Sequence, residues 1–223
     1  MTSDTEITMS KIAVLGSGKV GEVLADGFLK HDHEVMRGSR DPEKLMAWRR
    51  GAGSKAHAGT FAEAAAWGAI VVLAVKGTGA ESAVELAGTS SLAGKTVLDA
   101  TNPIADLPPQ NGVLRYFTSY DESLMERLQK KAPDAHFVKA FSCIGSPFMV
   151  HPKFPGGPPT MFICGNNEGA KATAKELLGQ FGWETADMGA VESARAIEPL
   201  CMLWCIAGFL RNDWVHAFKV LRA

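Results

Sequence analysis

Four glycine-bounded residues near the start of the chain set the chemistry. Gly16-Ser17-Gly18-Lys19-Val20-Gly21 follows the apolar run Ile12-Ala13-Val14-Leu15 and precedes a segment in which Val20, Leu24 and Phe28 recur four apart. That context, buried strand then amphipathic helix, gives the spacing G-x-G-x-x-G a mechanism. Gly16 permits the sharp turn, Gly18 lets bare backbone approach a pyrophosphate, and Gly21 lets the helix pack close to the strand. The phosphates then meet the unpaired N–H groups and positive dipole end of the helix. Lys19, Val20 and Ser17 complete the predicted loop.

The next chemical position lies about 20 residues on, where a carboxylate would accept from a ribose 2′-hydroxyl. Here the second strand ends in Gly38-Ser39-Arg40. A hydroxyl and a guanidinium suit a 2′-phosphate, which a carboxylate would repel. The reading is therefore NADP(H), with Ser39 and Arg40 as phosphate ligands and Arg37 as a weaker candidate. Arg40 also has a plainer reading as a solvated charge before Asp41-Pro42-Glu43, which looks like an N-cap, a first-position proline and an acidic first turn.

Further candidates fall at the ends of later strands. Val75 and Lys76 follow the apolar run Ala69 to Val75, Asn102 and Pro103 follow Thr96 to Ala100, and Ser142 and Cys143 follow His136 to Phe141. Carboxyl ends of strands are where open α/β sheets bind ligands. Val75, Lys76, Asn102 and Pro103 are expected beside the cofactor, and Ser142, Cys143 and Asn102 around the reacting ring. Cys143 reads first as a buried structural thiol, and Lys76 and Lys139 as snorkelling lysines beside strands. Cys201 and Cys205 share a helix face, where packing explains them. His31 and His33 lack the further ligands a metal would need, and no metal site is expected. No carboxylate pair or Ser/His/Asp set has motif context, which fits direct hydride transfer between cofactors.

The elements that must position these residues alternate strand and helix: strands near residues 12–15, a short second run ending in Gly38-Ser39-Arg40, then 55–58, 69–75, 96–100 and 136–141, with helices between. The fold class is α/β, a doubly wound, mostly parallel sheet. Residues 11–141 form the dinucleotide-binding domain, and residues 142–223 a small α/β and helical extension packed on the same sheet. Ile104 to Tyr120 interrupts the alternation and reads as a loop covering the active site. Val191 to Leu221 reads as predominantly helical, with Pro199 forcing a kink or restart.

With 223 residues, 46% apolar content and a net charge of −1, the chain can bury its own core and shows no bias toward nucleic acid or a membrane surface. Its four cysteines without C-x-x-C suggest reduced thiols and a cytoplasmic location. Residues 1–10 read as a flexible, acidic tail unlike a signal peptide, with Met9 an alternative start. The longest apolar run, Leu200 to Leu210, is shorter than a bilayer span.

Taken together, Ile12 to Gly18 with Gly38-Ser39-Arg40, Thr101-Asn102-Pro103, Val138 to Ser142 with Ile144-Gly145, and Met161 to Gly165 resemble the NADP oxidoreductase, coenzyme F420-dependent family. That family is itself similar to the cytosolic domain of the STEAP metalloreductases. The likeness runs over nearly the whole chain from Lys11. It implies a Rossmann domain with a small C-terminal extension, and hydride transfer between NADP(H) and a deazaflavin (F420) or flavin-like partner. One position departs: a histidine follows the corresponding strand in archaeal deazaflavin enzymes, where this chain has Ser142. The rival readings are a reductase of a small keto acid or imine, and a non-catalytic NADP(H)-binding module. The expected partners are a small redox co-substrate and, in a homodimer, a second copy of the chain.

Overall fold

The structure, a computed structural model, describes residues 9–222. Most of the predicted tail, residues 1–10, thus lies outside the described residues. From Ser10 onward the chain is tied down: the Ser10 backbone N–H donates to His33 Nδ1 at 3.2 Å.

In chain order the elements are β1 Lys11–Leu15, α1 Lys19–Lys30, β2 Glu34–Gly38, α2 Met46–Gly51, β3 Ala56–Gly59, α3 Phe61–Trp67, β4 Ile70–Leu73, α4 Ala80–Ala87, α5 Thr89–Leu92, β5 Thr96–Asp99, α6 Leu124–Lys131, β6 His136–Lys139, β7 Thr160–Ile163, α7 Glu168–Gln180, β8 Glu184–Asp187 and α8 Ala194–Arg211. The first six strands form one sheet in the order β3-β2-β1-β4-β5-β6, and every pair within it is parallel. The chain reverses its direction of travel across the sheet between β1 and β4. Such a switch point opens a crevice at the carboxyl ends of the strands.

Burial explains the order. Ile12, Ala13, Val14, Val71, Val72 and Leu73 are fully buried, as strands covered on both faces require. On one face Leu24 and Phe28 of α1 pack with Leu177, Leu178 and Phe181 of the α7 region. On the other, Phe61 and Ala64 of α3, Val84 of α4 and Leu124 and Leu128 of α6 pack against Leu73 and Val97. Thr60 and Ser123 start α3 and α6 with reciprocal capping boxes to Glu63 and Glu126, each contributing about 1 kcal/mol.

The segment after β2, whose Asp41-Pro42-Glu43 reads as a helix start, opens instead with a 3-10 turn, Pro42–Leu45, that leads into α2. In the extension, α7 lies on the face of the main sheet, but β7 and β8 pair with each other in a second, two-stranded parallel sheet. A single antiparallel bridge, Lys139 to Cys164, joins it to β6. Finally, the terminal segment is helical only to Arg211, and α8 runs through Pro199 without a restart. Asn212 takes a left-handed turn at φ 52°. The tail then folds back, because Gly208 leaves room for the Trp214 ring: a Cβ there would sit 2.2 Å from it. The tail's return is fixed by the Trp204 indole N–H, which donates to the His216 carbonyl at 2.8 Å. Thr160 N–H donates to the Phe218 carbonyl at 2.9 Å, laying the tail beside β7.

Candidate active site

A hollow of about 320 Å³ opens at the carboxyl ends of β1, β2 and β4. Its floor is the glycine loop. Gly16 adopts φ +150°, and a Cβ there would lie 2.2 Å from the Ala74 carbonyl oxygen; one on Gly21 would lie 2.8 Å from the Gly16 oxygen. These two glycines hold strand and helix together. Gly18 differs, since nothing lies within 4 Å of the place its Cβ would take, and it caps α1 without offering a side-chain acceptor. The first-turn N–H groups of α1 are therefore left for an anion in the hollow.

Arg37, read from sequence as a weaker phosphate candidate, works behind this loop instead. It is 1% exposed, and its Nη2 donates to the carbonyls of Gly16 at 3.2 Å and Gly18 at 3.1 Å. Its guanidinium lies 5.0 Å from the Trp48 ring centroid, and Trp48 is anchored through its indole N–H on Asp26 at 2.7 Å. Burial lowers the Arg37 pKa, against the pull of Glu22 and Asp26, yet arginine remains a cation in proteins.

The outer wall carries the predicted Ser39 and Arg40 together with Lys44. Ser39 is buried, and its hydroxyl accepts the Asp41 N–H at 3.2 Å. Arg40 is exposed at the rim. Lys44 was not singled out from sequence; the 3-10 turn Pro42–Leu45 brings it to the wall beside Arg40. The only trace of it in the sequence is a lysine four residues past the arginine. Gly38, the position of the usual carboxylate, is tightly enclosed: a Cβ there would lie 3.0 Å from Ala64 Cβ and 3.1 Å from Leu15 Cδ2 and the Thr60 carbonyl, so its neighbours would have to give by a few tenths of an ångström.

Val75 and Lys76 line the opposite wall, where Lys76 pairs with Asp106 of the long connection. Lys19 is mostly exposed and paired with Glu22 at 2.6 Å, and Val20 packs against the core, so neither side chain borders the hollow. Asn102 and Pro103 do not line it; they follow β5, the strand beside β4. Gly77 touches that turn so closely that a Cβ would fall 1.9 Å from the Asn102 carbonyl oxygen. Asn102 Nδ2 donates to the Ser142 carbonyl at 2.8 Å, which joins the ends of β5 and β6. Asn102 Oδ1 and Ser142 Oγ are buried without a protein partner. Unmet acceptors and donors of this kind are rare in native structures, and these two stand at the carboxyl ends of β5 and β6, the edge at which open α/β sheets bind ligands. Cys143 is buried, and burial pushes its thiol up to about 12.

Below this turn lies a charge cluster that no motif disclosed. Lys139, expected to snorkel, is fully buried; its Nζ lies 2.6 Å from Asp99 Oδ2 and 2.8 Å from Glu198 Oε1. It also donates to the Thr101 carbonyl at 3.0 Å. Asp99 Oδ1 accepts the Thr101 hydroxyl at 2.6 Å and its N–H at 2.9 Å. Glu198 of α8 accepts the N–H groups of Leu124 and Met125, both at 3.0 Å, so it neutralises the open end of α6. The sequence hid this because its members lie on β5, β6 and α8, up to 99 residues apart in number. The turn bearing Asn102 is thus held by ion pairs rather than by its own sequence. The long connection, read as a covering loop, packs on α8, with the Tyr116 hydroxyl donating to the Glu198 carbonyl at 2.7 Å.

The geometry has known counterparts. The family model for NADP oxidoreductase, coenzyme F420-dependent, matches residues 11–103. A crystal structure of a candidate F420-dependent NADP-reductase from Arthrobacter sp. FB24 is 31% identical, covers 96% of this chain and 100% of that one, and superposes with a TM-score of 0.89. This chain belongs to the NADP oxidoreductase, coenzyme F420-dependent family. Within that family it is an NADP-dependent oxidoreductase, and NADP(H) is its cofactor. The residues present fit the group: an open backbone at Gly18, an uncapped helix end, and the donors of Ser39, Arg40 and Lys44 on the outer wall of the hollow. Metalloreductase STEAP3 of Rattus norvegicus is 30% identical over 191 residues, 85% of this chain. The chain spans about a third of that relative's length, 36%. A reductive aminase from Aspergillus terreus, solved with NADPH and ethyl levulinate, shares the fold at 19% identity and TM-score 0.65, over 92% of this chain and 63% of that one.

Proposed function

We propose that the protein passes a hydride from NADPH to a deazaflavin or flavin-like acceptor, directly and without an enzymic proton donor. The observation that carries this reading is the chemistry of the groups around the Asn102 turn. Burial holds the Cys143 thiol up at about 12. Burial, with the neighbouring Cys201 and Glu198, holds the Tyr116 hydroxyl well above its usual range. Lys139 loses stability as a cation through burial, but Asp99 and Glu198 more than restore it. None of these groups has its proton poised near neutral pH for transfer, as a general acid must. Reduction of a keto acid leaves an alkoxide that needs such a donor, whereas a deazaflavin or flavin ring delocalises the charge it receives.

When bound, NADPH supplies the hydride from its nicotinamide ring. The chain supplies position: the α1 N-terminus and Gly18 take the phosphates, Ser39, Arg40 and Lys44 select the 2′-phosphate, and Asn102 and Ser142 offer the unpaired oxygens at the ring end. Holding donor and acceptor face to face accounts for much of the rate such enzymes achieve. The test is absorbance of NADPH mixed with oxidised F420, FMN or FAD, and separately with small keto acids. Turnover with the ring acceptors alone is expected; turnover with keto acids alone overturns the reading.

A further inference from the structure

A cation lies buried beneath the glycine loop, and the chain only partly matches its charge. Arg37 of β2 is closed off from solvent, and a buried charge is costly unless it is paired and hydrogen-bonded. Among the described residues one carboxylate approaches it: Glu22 Oε2 lies 3.9 Å from Nη1, beyond hydrogen-bond reach, and the other oxygen of Glu22 is taken by Lys19. Asp26 is engaged by the Trp48 indole. Arg37 Nε is buried with no hydrogen-bond partner. An anion that completes this balance has one suitable place. The groove on Arg37's own side is bordered by Glu22 and Asp26, which repel an anion. Across the loop lies the hollow that Gly16, Ser17 and Gly18 line and Arg37 does not.

What the guanidinium grips shows how it acts. Nη2 donates to the carbonyls of Gly16 and Gly18. Every described peptide bond is trans, so within each planar unit the N–H points opposite to the C=O. Turning the Gly16 and Gly18 carbonyls toward Arg37 therefore turns the N–H groups of Ser17 and Lys19 away from it, to the side of the hollow. The Gly18 carbonyl also accepts the Glu22 N–H at 3.1 Å, the first bond of α1, which fixes the Lys19 N–H at the open end of the helix. Glycine backbone is conformationally free, and donors set before binding spare the ligand the cost of ordering them.

We propose that Arg37 is a positioning residue for the cofactor's pyrophosphate: from behind the loop it presets the Ser17 and Lys19 amides and supplies positive charge to the phosphates across it. The inference rests on the placement of the phosphates at this loop. It gives the two arginines different work. Arg40 reads the 2′-phosphate, whereas Arg37 serves any dinucleotide.

The experiment is calorimetry of the full chain with NADP+, NAD+ and adenosine 2′-monophosphate, which has no pyrophosphate. Arg37→Met keeps an apolar stem against Trp48 and removes the donors and the charge. It should weaken NADP+ and NAD+ by the same factor, about 10- to 100-fold, and leave adenosine 2′-monophosphate within about twofold. Arg37→Lys keeps a cation without the planar fork that spans two carbonyls, and should fall between. A merely structural role would lower all three affinities together. Gly18→Val tests the placement separately. The backbone there is extended and its Cβ meets nothing within 4 Å, so the fold accepts valine while the phosphates do not, and only the two dinucleotides should be lost. A neutral Gly18→Val would show that the phosphates bind elsewhere, and the inference falls with that placement. If Gly18→Val excludes the dinucleotides but the Arg37 variants bind like wild type, lose adenosine 2′-monophosphate equally, or lose NADP+ alone, the role given to Arg37 is overturned while the placement stands. Should Arg37→Met fail to fold, Arg37→Lys decides by the same three outcomes.

Discussion

At the residue scale, the proposed reading puts cofactor choice on side chains at the rim of one hollow. Arg40→Ala should weaken NADPH binding about 10- to 100-fold, the worth of one charge-assisted hydrogen bond, and leave NADH nearly unchanged. Calorimetry with both dinucleotides checks this, and equal loss of the two would show that the phosphate lies elsewhere. Lys44→Ala should act in the same direction. Gly38→Asp, which the sequence alone suggests as a switch toward NADH, should instead destabilise the fold, because the carboxylate's own Cβ meets Ala64, Leu15 and Thr60 at 3.0–3.1 Å. Its melting temperature should fall before its affinities are measured. The place of Ser39 and Arg40 on the wall of the hollow was legible because spacing from the glycine loop fixes the end of β2. Arg37 was misread because burial belongs to tertiary packing: Trp48 and two loop carbonyls claim its guanidinium.

At the element scale, helix ends and strand ends are held by charges that come from far away in the chain. Lys139→Met leaves Asp99 and Glu198 buried without their cation, and should cost about 3–5 kcal/mol in urea unfolding. Little or no loss would mean that the carboxylates are solvated. The start of α6 offers a pH test. A hydrogen-bonded ion pair from Arg195 and the bonds from Ser123 hold Glu126 at about 2 despite its burial. A folded pKa below the unfolded value contributes stability above roughly pH 4.5, lost as pH falls toward 2. Glu126→Gln should therefore lower the melting temperature at pH 6 and narrow the gap to wild type by pH 2, with on the order of 1–3 kcal/mol at stake after allowance for the half-exposed arginine. The position of α1 was legible, since the four-residue spacing of Val20, Leu24 and Phe28 announces it. The end of α8 was not: a proline inside and an apolar run beyond suggested a longer, broken helix, whereas Gly208 and the Trp214 ring decide where it stops.

At the scale of the whole molecule, strand–helix alternation was enough to give a doubly wound parallel sheet, because apolar runs such as Ile12–Leu15 and Ala69–Val75 can only be central strands. It was not enough to separate β7 and β8 into their own sheet, since pairing partners leave no mark on a single strand's composition. Nor does sequence show that the turn bearing Asn102, the loop bearing Ser142 and the helix bearing Glu198 meet at one edge, which is what makes the hydride reading specific. That reading is tested most directly by isotope transfer: NADPH deuterated at the reacting nicotinamide carbon is mixed with oxidised deazaflavin F420 in ordinary water, and the reduced ring is analysed by mass spectrometry and NMR. Direct passage predicts one deuterium retained at the ring carbon that receives the hydride; reduced F420 without deuterium from either labelled face of NADPH, or no reduction of F420, FMN or FAD at all, would contradict it.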